Sequence, residues 1–219
     1  MAQHSGLAQH GATSLLARPR APRRLSDGVA TVSTMATPPG GLEFCVFPTA
    51  IGHCALVWRE PCVVVGSALP HGSPQSTRAA VARWYPEARE STPGADVAAV
   101  VAQVADLLET GTGDLSGVDL DLAAVPAFDR RVYEVVRDIP AGATLTYGDV
   151  AARLGAPGAA QAVGQALGRN PFPPIVPCHR VLAAGRQVGG FSARGGRRTK
   201  LRMLEAEGVH LEHPTLFDV

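Results

Sequence analysis

A cysteine, a histidine and an arginine stand side by side in the second half of the chain, after a proline-rich apolar run. They are Cys178, His179 and Arg180, within the segment "NPFPPIVPCHRVLAAGRQVGG" at 170–190. A thiolate is a nucleophile, and nearby positive charge lowers the pKa of a thiol and raises its thiolate fraction. The basic residues that follow Arg180 are Arg186, Arg194 and Lys200. We therefore expect the pKa of the Cys178 thiol to be lowered.

Three roles are open to Cys178: a buried apolar residue, a metal ligand or a nucleophile. Burial is the commonest fate of a free cysteine, and the apolar run before it fits that role. A zinc site needs further Cys or His ligands at characteristic spacing, which neither this segment nor the N-terminal cysteines and His53 supply. We therefore expect no metal and no cofactor. Pro177 stiffens the backbone just before Cys178, which favours the nucleophile.

His179 is the nearest candidate base for the thiol. Side chains of neighbouring residues diverge on a strand or a helix, so direct contact with Cys178 is not expected in regular structure. A turn or one bridging water would still couple the two groups. The imidazole needs a third group to orient it, and Glu205 and Glu207 are the candidates. Glu207 precedes Gly208 at a predicted helix end, where a carboxylate opposes the helix dipole and favours a partner. An exposed, frayed glutamate is an equally good interpretation.

Composition and charge limit the class of protein. The chain has 219 residues and four cysteines without a C-x-x-C pair, which indicates a reduced, intracellular protein. No apolar run reaches the ~18 residues of a membrane span, so we expect a cytoplasmic protein in a bacterium or a nuclear one in a eukaryote. Residues 38–125 hold four Lys or Arg against ten Asp or Glu, whereas residues 126–208 hold twelve against six. A basic half favours nucleic acid as the partner, although a solvated arginine-rich surface is the alternative.

The sequence divides into four predicted parts. Residues 1–37 are expected to form a disordered extension, because they are rich in Ala, Ser, Arg and Gly without an apolar period. They also resemble a transit peptide, and Met35 is an alternative start. Residues 38–124 are predicted to be a small α/β domain, 125–209 a second domain and 210–219 a tail. The expected elements of the first domain are strands at 42–47, 53–58 and 62–69 and helices at 76–85 and 95–111.

The second domain is predicted to be mostly helical, with a winged-helix-like helix-turn-helix. A helix follows Pro126, and another begins at Thr146, where Asp149 three residues later completes a near capping box. Gly155 suits the end of that helix, and a third helix follows within a very short turn. This third helix presents small residues, which allow close approach to another surface or tight packing inside the domain: Ala159, Ala160, Ala162, Gly164, Ala166 and Gly168.

The segment "VPCHRV", preceded by "GRNP" and followed by "GGFS", resembles the O6-alkylguanine-DNA alkyltransferases, also called methylated-DNA–protein-cysteine methyltransferases. The resemblance runs from about 128 to 208 and includes "IPAGATLTYGDVA", "GAPGAAQAVGQALGRNP" and "KLRMLEAEG". Residues 41–124 are similar only in "TAIGHCALV". The resemblance implies that Cys178 accepts the alkyl group, that His179 takes its proton through a water and that Glu207 orients the histidine. It further implies supporting roles for Asn170, Tyr147 and Lys200.

The same resemblance implies a DNA interface. The small-residue helix would enter the minor groove, the "GGFS" strip would cover the base, and Tyr147 would donate a hydrogen bond to a ring nitrogen of the base. The implied DNA contacts are Tyr147, Ala160, Gln161, Gly164, Arg169, Arg180, Gly190, Phe191 and Ser192. Two residues depart from the family pattern. Gln161 stands where many members have an arginine that fills the gap left by the extruded nucleotide, and Phe191 stands where most have Tyr.

The implied activity is DNA repair by alkyl transfer. A monomer would flip the damaged base out of double-stranded DNA and move the alkyl group from O6 of guanine, or O4 of thymine, to Cys178. The thioether product has no activated leaving group, so each molecule would act once. Two alternatives remain open: a non-catalytic protein that binds the lesion and recruits other repair factors, and a cysteine hydrolase unrelated to DNA.

Overall fold

Alternating apolar strands build the N-terminal half of the computed structural model, which describes residues 41–211. The four strands are β1 (Glu43–Thr49), β2 (Gly52–Arg59), β3 (Val63–Ala68) and β4 (Arg89–Glu90). They form one sheet in the order β3-β2-β1-β4, in which β4 alone runs parallel to its neighbour. The three predicted strands are confirmed. The sequence did not predict β4, since two exposed residues carry no apolar pattern.

Two helices cover opposite faces of this sheet. They are α1 (Pro74–Trp84) and α2 (Ala95–Thr110). Val81 of α1 packs on one face with Val57, while the apolar stripe of α2 packs on the other face with Trp58. The α1 helix begins earlier than predicted because the Ser73 hydroxyl accepts a hydrogen bond from the Ser76 amide. Both predicted helices are confirmed.

The C-terminal half contains the predicted helices and one short pair of strands. Its elements are α3 (Ala127–Arg137), β5 (Leu145–Thr146), α4 (Tyr147–Arg153), α5 (Ala160–Gly168), β6 (Val181–Leu182) and α6 (Arg197–Ala206). The capping box at the start of α4 is confirmed, because Thr146 and Asp149 each accept a hydrogen bond from the other's backbone amide. The strands β5 and β6 pair in parallel. This ladder brings the start of α4 beside the segment that ends in β6.

The two halves share one apolar core. A single cluster of buried side chains includes Trp58 from the sheet and Val163 from α5. Gly111, which ends α2 with φ +70°, lies so close to α6 that a Cβ there would clash with the backbone of Ala206 and Glu207. The boundary at residue 124 stays a prediction, as do the extension at 1–37 and most of the tail, which lie outside the described residues. Within residues 41–211, no helix has the length and apolar character to cross a membrane.

Candidate active site

Cys178 lies in a single 3₁₀ turn, Cys178–Arg180, that leads directly into β6. The turn is held from the N-terminal side by Asn170, whose amide donates to the Val176 carbonyl at 2.9 Å and whose Oδ1 accepts from the Phe172 amide at 3.0 Å. The Cys178 amide itself donates to the Val176 carbonyl at 2.8 Å. The residue is 8% exposed. The residue is therefore held in place and almost completely buried.

The net effect of its surroundings is to raise the pKa of the Cys178 thiol. Burial is the largest cause, and the hydrogen bond from Asn170 and the charge of Lys200 oppose it without cancelling it. The expected lowering of this pKa is therefore wrong. Burial penalises the thiolate more than one nearby ammonium group stabilises it. Arg180 is the basic residue nearest to Cys178 in the sequence, but its guanidinium contacts Glu207 and the Ile139 carbonyl instead.

His179 and Glu207 form a buried pair behind the thiol. His179 Nε2 lies 2.8 Å from Glu207 Oε1, and each side chain is 1% exposed. The interpretation of Glu207 as an exposed residue is wrong. His179 Nδ1 is buried and has no hydrogen-bond partner among the described residues. Within residues 41–211, no hydrogen bond joins the side chains of Cys178 and His179. Their adjacency in the chain predicted this lack of direct contact.

Arg180 completes this arrangement by pairing with the same carboxylate. Its Nε lies 3.1 and 3.0 Å from the two oxygens of Glu207, and one guanidinium nitrogen donates to the Ile139 carbonyl at 2.5 Å. The side chain is only 7% exposed. The prediction that Arg180 contacts DNA is therefore wrong, because its guanidinium is buried and paired. In the sequence, the position of Glu207 at a helix end was the available signal for this ion pair, since a buried carboxylate there needs a positively charged partner.

The protonation states follow from these contacts. Burial alone would raise the pKa of Glu207, but the hydrogen bonds from His179 and Arg180 lower it to about 2. Burial lowers the pKa of His179 despite the opposing effect of Glu207. At neutral pH the pair is thus a carboxylate and a neutral imidazole. Because the carboxylate can only accept, His179 carries its proton on Nε2 and presents a lone pair on Nδ1.

Lys200 and Tyr147 also lie near the thiol, since the charge of Cys178 affects the pKa of both. Lys200 is fully buried, donates from Nζ to the Val181 carbonyl at 2.5 Å, and has a pKa that burial lowers to about 8. Its Nζ lies 5.8 Å from the ring centroids of both Tyr147 and Phe191. Tyr147 is half-buried, and burial and then Cys178 raise the pKa of its phenol. The structure thus brings these predicted residues together at Cys178.

The predicted DNA contacts remain accessible, apart from Arg180. Gln161, Gly190 and Ser192 are exposed, while Ala160 and Gly164 are half-buried on α5. A Cβ at Gly164 would lie 3.8 Å from the Tyr147 ring, which is an ordinary van der Waals contact, so packing within the domain does not require glycine at this position. Arg169 is 49% exposed although it makes a bidentate pair with Asp129. No group of three or more metal-binding side chains occurs within residues 41–211.

Known proteins are similar to this chain in the region that contains Cys178, His179 and Glu207. The family described as "6-O-methylguanine DNA methyltransferase, DNA binding domain" matches residues 127–209. A methylated-DNA–protein-cysteine methyltransferase of Methanothermobacter thermautotrophicus is 48% identical over 93 residues, which are 42% of this chain and 51% of that protein. One of Mycobacterium leprae is 47% identical over 46% of this chain and 60% of its own length. The matched region thus spans about half of these relatives.

Solved structures extend the similarity across both halves. The crystal structure of a Mycobacterium tuberculosis OGT in complex with DNA has a TM-score of 0.62 and 32% identity, covering 75% of this chain and 92% of that one. The chain belongs to the O6-methylguanine-DNA methyltransferase family. Another structure of the family, from Pyrococcus kodakaraensis, gives a TM-score of 0.58 at 26% identity over 76% and 99% of the two chains. The O6-methylguanine-DNA methyltransferase fold therefore includes the N-terminal sheet, which the sequence resembled only loosely.

Proposed function

We propose that this protein repairs alkylated DNA by moving an alkyl group from O6 of guanine, or O4 of thymine, to Cys178. The observation that carries the proposal is the buried series Cys178, His179, Glu207 and Arg180, in which His179 Nδ1 remains without a partner among the described residues. The naming of the relatives as methylated-DNA–protein-cysteine methyltransferases supports it. This series provides a nucleophile and an oriented base, which are the two groups that transfer of a carbon to sulfur requires.

The reaction begins with removal of the thiol proton. Because the pKa of Cys178 is raised, the resting sulfur is protonated, and His179 Nδ1 accepts the proton through one water. Glu207 stabilises the imidazolium that forms, while Arg180 keeps that carboxylate ionised. Lys200 stabilises the thiolate by its charge. The buried pair thus provides a base without placing a permanent positive charge beside DNA.

Transfer then follows as an SN2 displacement. The Cys178 thiolate attacks the alkyl carbon, the carbon–O6 bond breaks, and its electron pair passes to the guanine. Tyr147, which is half-buried and lies beside Lys200, supplies a hydrogen bond or a proton to the departing base. The product is guanine and a thioether on the protein. No step needs a metal or a cofactor.

The DNA must present the damaged base outside its stack, because the target carbon is enclosed within the duplex. We propose that α5 enters the minor groove with its small-residue face, that Gln161 occupies the space left by the flipped base, and that Gly190, Phe191 and Ser192 cover it. The similarity to a structure described as a complex with DNA supports this. One chain supplies every proposed group, so we propose a monomer that acts where the DNA lies, in the bacterial cytoplasm or the eukaryotic nucleus.

The proposed transfer is stoichiometric. The other cysteines lie in the N-terminal half, where burial raises the pKa of Cys45 to about 11 and that of Cys54 to about 12. Burial also raises the pKa of Cys62, so none of the three supplies an appreciable thiolate at neutral pH that would attack the thioether. The alkyl group therefore stays on Cys178, and each molecule repairs one lesion.

The test is the intact mass of the protein after incubation with a duplex that contains O6-methylguanine, with O4-methylthymine in a parallel duplex. We expect the mass to rise by one methylene group, and no rise for Cys178→Ala or for unmodified DNA. Cys62→Ala, which removes a half-buried thiol of the N-terminal half, should retain the gain. Lesion binding without a mass gain would support the non-catalytic alternative, and many turnovers per molecule would support a hydrolase.

A further inference from the structure

Ser67 is a buried polar residue in the apolar strand β3, and both of its hydrogen-bonding donors point at the active-site loop. Its backbone amide donates to the Pro171 carbonyl at 2.8 Å. Its hydroxyl donates to the Pro173 carbonyl at 2.6 Å. The residue is 8% exposed, and a buried hydroxyl costs free energy unless it is hydrogen-bonded. The contact joins the N-terminal sheet to the segment that ends in Cys178.

The loop at 170–178 is held unevenly. Asn170 ties its two ends together through the Phe172 amide and the Val176 carbonyl. On another side the loop borders an open cleft of about 360 Å³, which Pro174, Ile175 and Pro177 help to line. Ser67 supplies the hydrogen bonds that join the loop to the N-terminal sheet.

A displacement at Pro173 is also poorly absorbed before it reaches the thiol. Three of the five residues from 173 to 177 are proline, and each proline fixes its own φ. Few soft dihedrals separate the Pro173 carbonyl from Cys178. A shift of the loop therefore moves the sulfur rather than being taken up between the two points.

We propose that Ser67 is a positioning residue for alkyl transfer. Its hydroxyl sets the location of the Cys178 sulfur by holding the Pro173 carbonyl, beside the backbone hydrogen bond to the Pro171 carbonyl that any residue at this position would donate. This inference rests on the proposed function. It assigns a role in the reaction to the N-terminal half, in which the sequence analysis identified no catalytic residue. Ser67 is on β3 and not on the helix-turn-helix, so it acts on transfer and not on DNA affinity.

The experiment compares Ser67→Ala with Thr77→Val. Thr77 is also buried in the N-terminal half, and its hydroxyl donates to the His53 carbonyl at 3.1 Å and accepts from the His71 amide, away from the loop. Both changes remove a buried hydroxyl that donates one hydrogen bond, so both should lower the unfolding temperature to a similar extent. The single-turnover rate constant is measured at saturating O6-methylguanine duplex, together with the DNA Kd, below the unfolding temperature of both variants.

For Ser67→Ala we expect a loss of about tenfold in the rate constant with an unchanged Kd, because misplacement of reacting atoms is costly. For Thr77→Val we expect both values to match the wild type. A wild-type rate in Ser67→Ala, an equal loss in both variants, or a parallel change in Kd would overturn the inference. A wild type that transfers no methyl group would instead refute the proposed function, so the two failures are distinguishable.

Discussion

Glu207 accepts a hydrogen bond from His179 Nε2 at 2.8 Å, although α6 ends at the residue before it. A carboxylate at this end of a helix is unfavourable to the dipole. Arg180 compensates with three contacts to the same carboxylate. Gly111 lets the end of α2 pack against this backbone. Both halves of the protein thus enclose Glu207, the carboxylate that orients the proposed base His179.

Replacing Glu207 by Gln should impair both transfer and stability. The amide cannot stabilise an imidazolium, so we expect the single-turnover rate constant to fall by ~10²-fold, the lower end for a lost acid–base contribution. Arg180 stays buried without its counter-charge, which costs about 3 kcal/mol. Urea denaturation measures the second effect. Glu205→Gln in the last turn of α6 is the control, since Glu205 is exposed and should change neither value.

Acid should destabilise the wild type through the same carboxylate. The pKa of Glu207 is lowered to about 2 from 4.5, so the fold gains stability that is complete above pH 4.5 and is lost as pH falls toward 2. The difference corresponds to roughly 3 kcal/mol. We expect the free energy of unfolding of the wild type to fall more steeply over this range than that of Glu207→Gln. Parallel curves would contradict this.

Lys200 should have the opposite dependence. Burial lowers its pKa from 10.5 to about 8, so the charged form is penalised in the fold, and stability is regained as pH rises from 8 to 10.5. The penalty below pH 8 is roughly 3 kcal/mol. Relative to Lys200→Met, the wild type should therefore gain stability across this range. The variant should transfer methyl more slowly than the wild type below pH 8, where Lys200 is charged. Arg202→Met is the control, because arginine stays charged and should give a difference independent of pH.

Local signals in the sequence predicted local structure well. The apolar alternation of 42–47 and 53–58 is sufficient for a strand pair, and Thr146 with Asp149 is sufficient for the start of a helix, because the partners lie a few residues apart. The ladder of β5 and β6 was not predicted. It joins Leu145 to Val181, and two-residue strands have no period to detect.

The candidate site was predicted in its membership but not in its electrostatics. The helix-end argument required a partner for Glu207 without identifying Arg180, which lies 27 positions away and was assigned to DNA instead. The pKa of Cys178 was predicted in the wrong direction because the nearby basic residues were weighed whereas the desolvation of the thiol was not. Ser67 gave no signal, since its partner carbonyl is 106 positions away.

Tyr147→Phe should slow transfer without weakening DNA binding. The ring stays beside Lys200 and Gly189, but the hydroxyl that stabilises the departing guanine is lost. We expect the single-turnover rate constant to fall by about 10²-fold, with an unchanged Kd. Tyr85→Phe removes a phenol of the N-terminal half that bonds only the Val65 carbonyl among the described residues, at 3.4 Å, and should retain the wild-type rate. A wild-type rate in Tyr147→Phe would remove the tyrosine from the mechanism.

Gln161→Arg should strengthen binding to DNA at a small cost in stability. Gln161 is exposed at the start of α5, the helix proposed to enter the groove. One added positive charge at the interface should steepen the slope of log K against log salt by about 0.9. The same charge opposes the dipole at a helix start and should lower the free energy of unfolding by about 0.5 kcal/mol. Fluorescence anisotropy at several salt concentrations measures the slope. Gln103→Arg, an identical change on the exposed face of α2, should leave it unchanged; an equal increase there would assign the effect to net charge and not to α5.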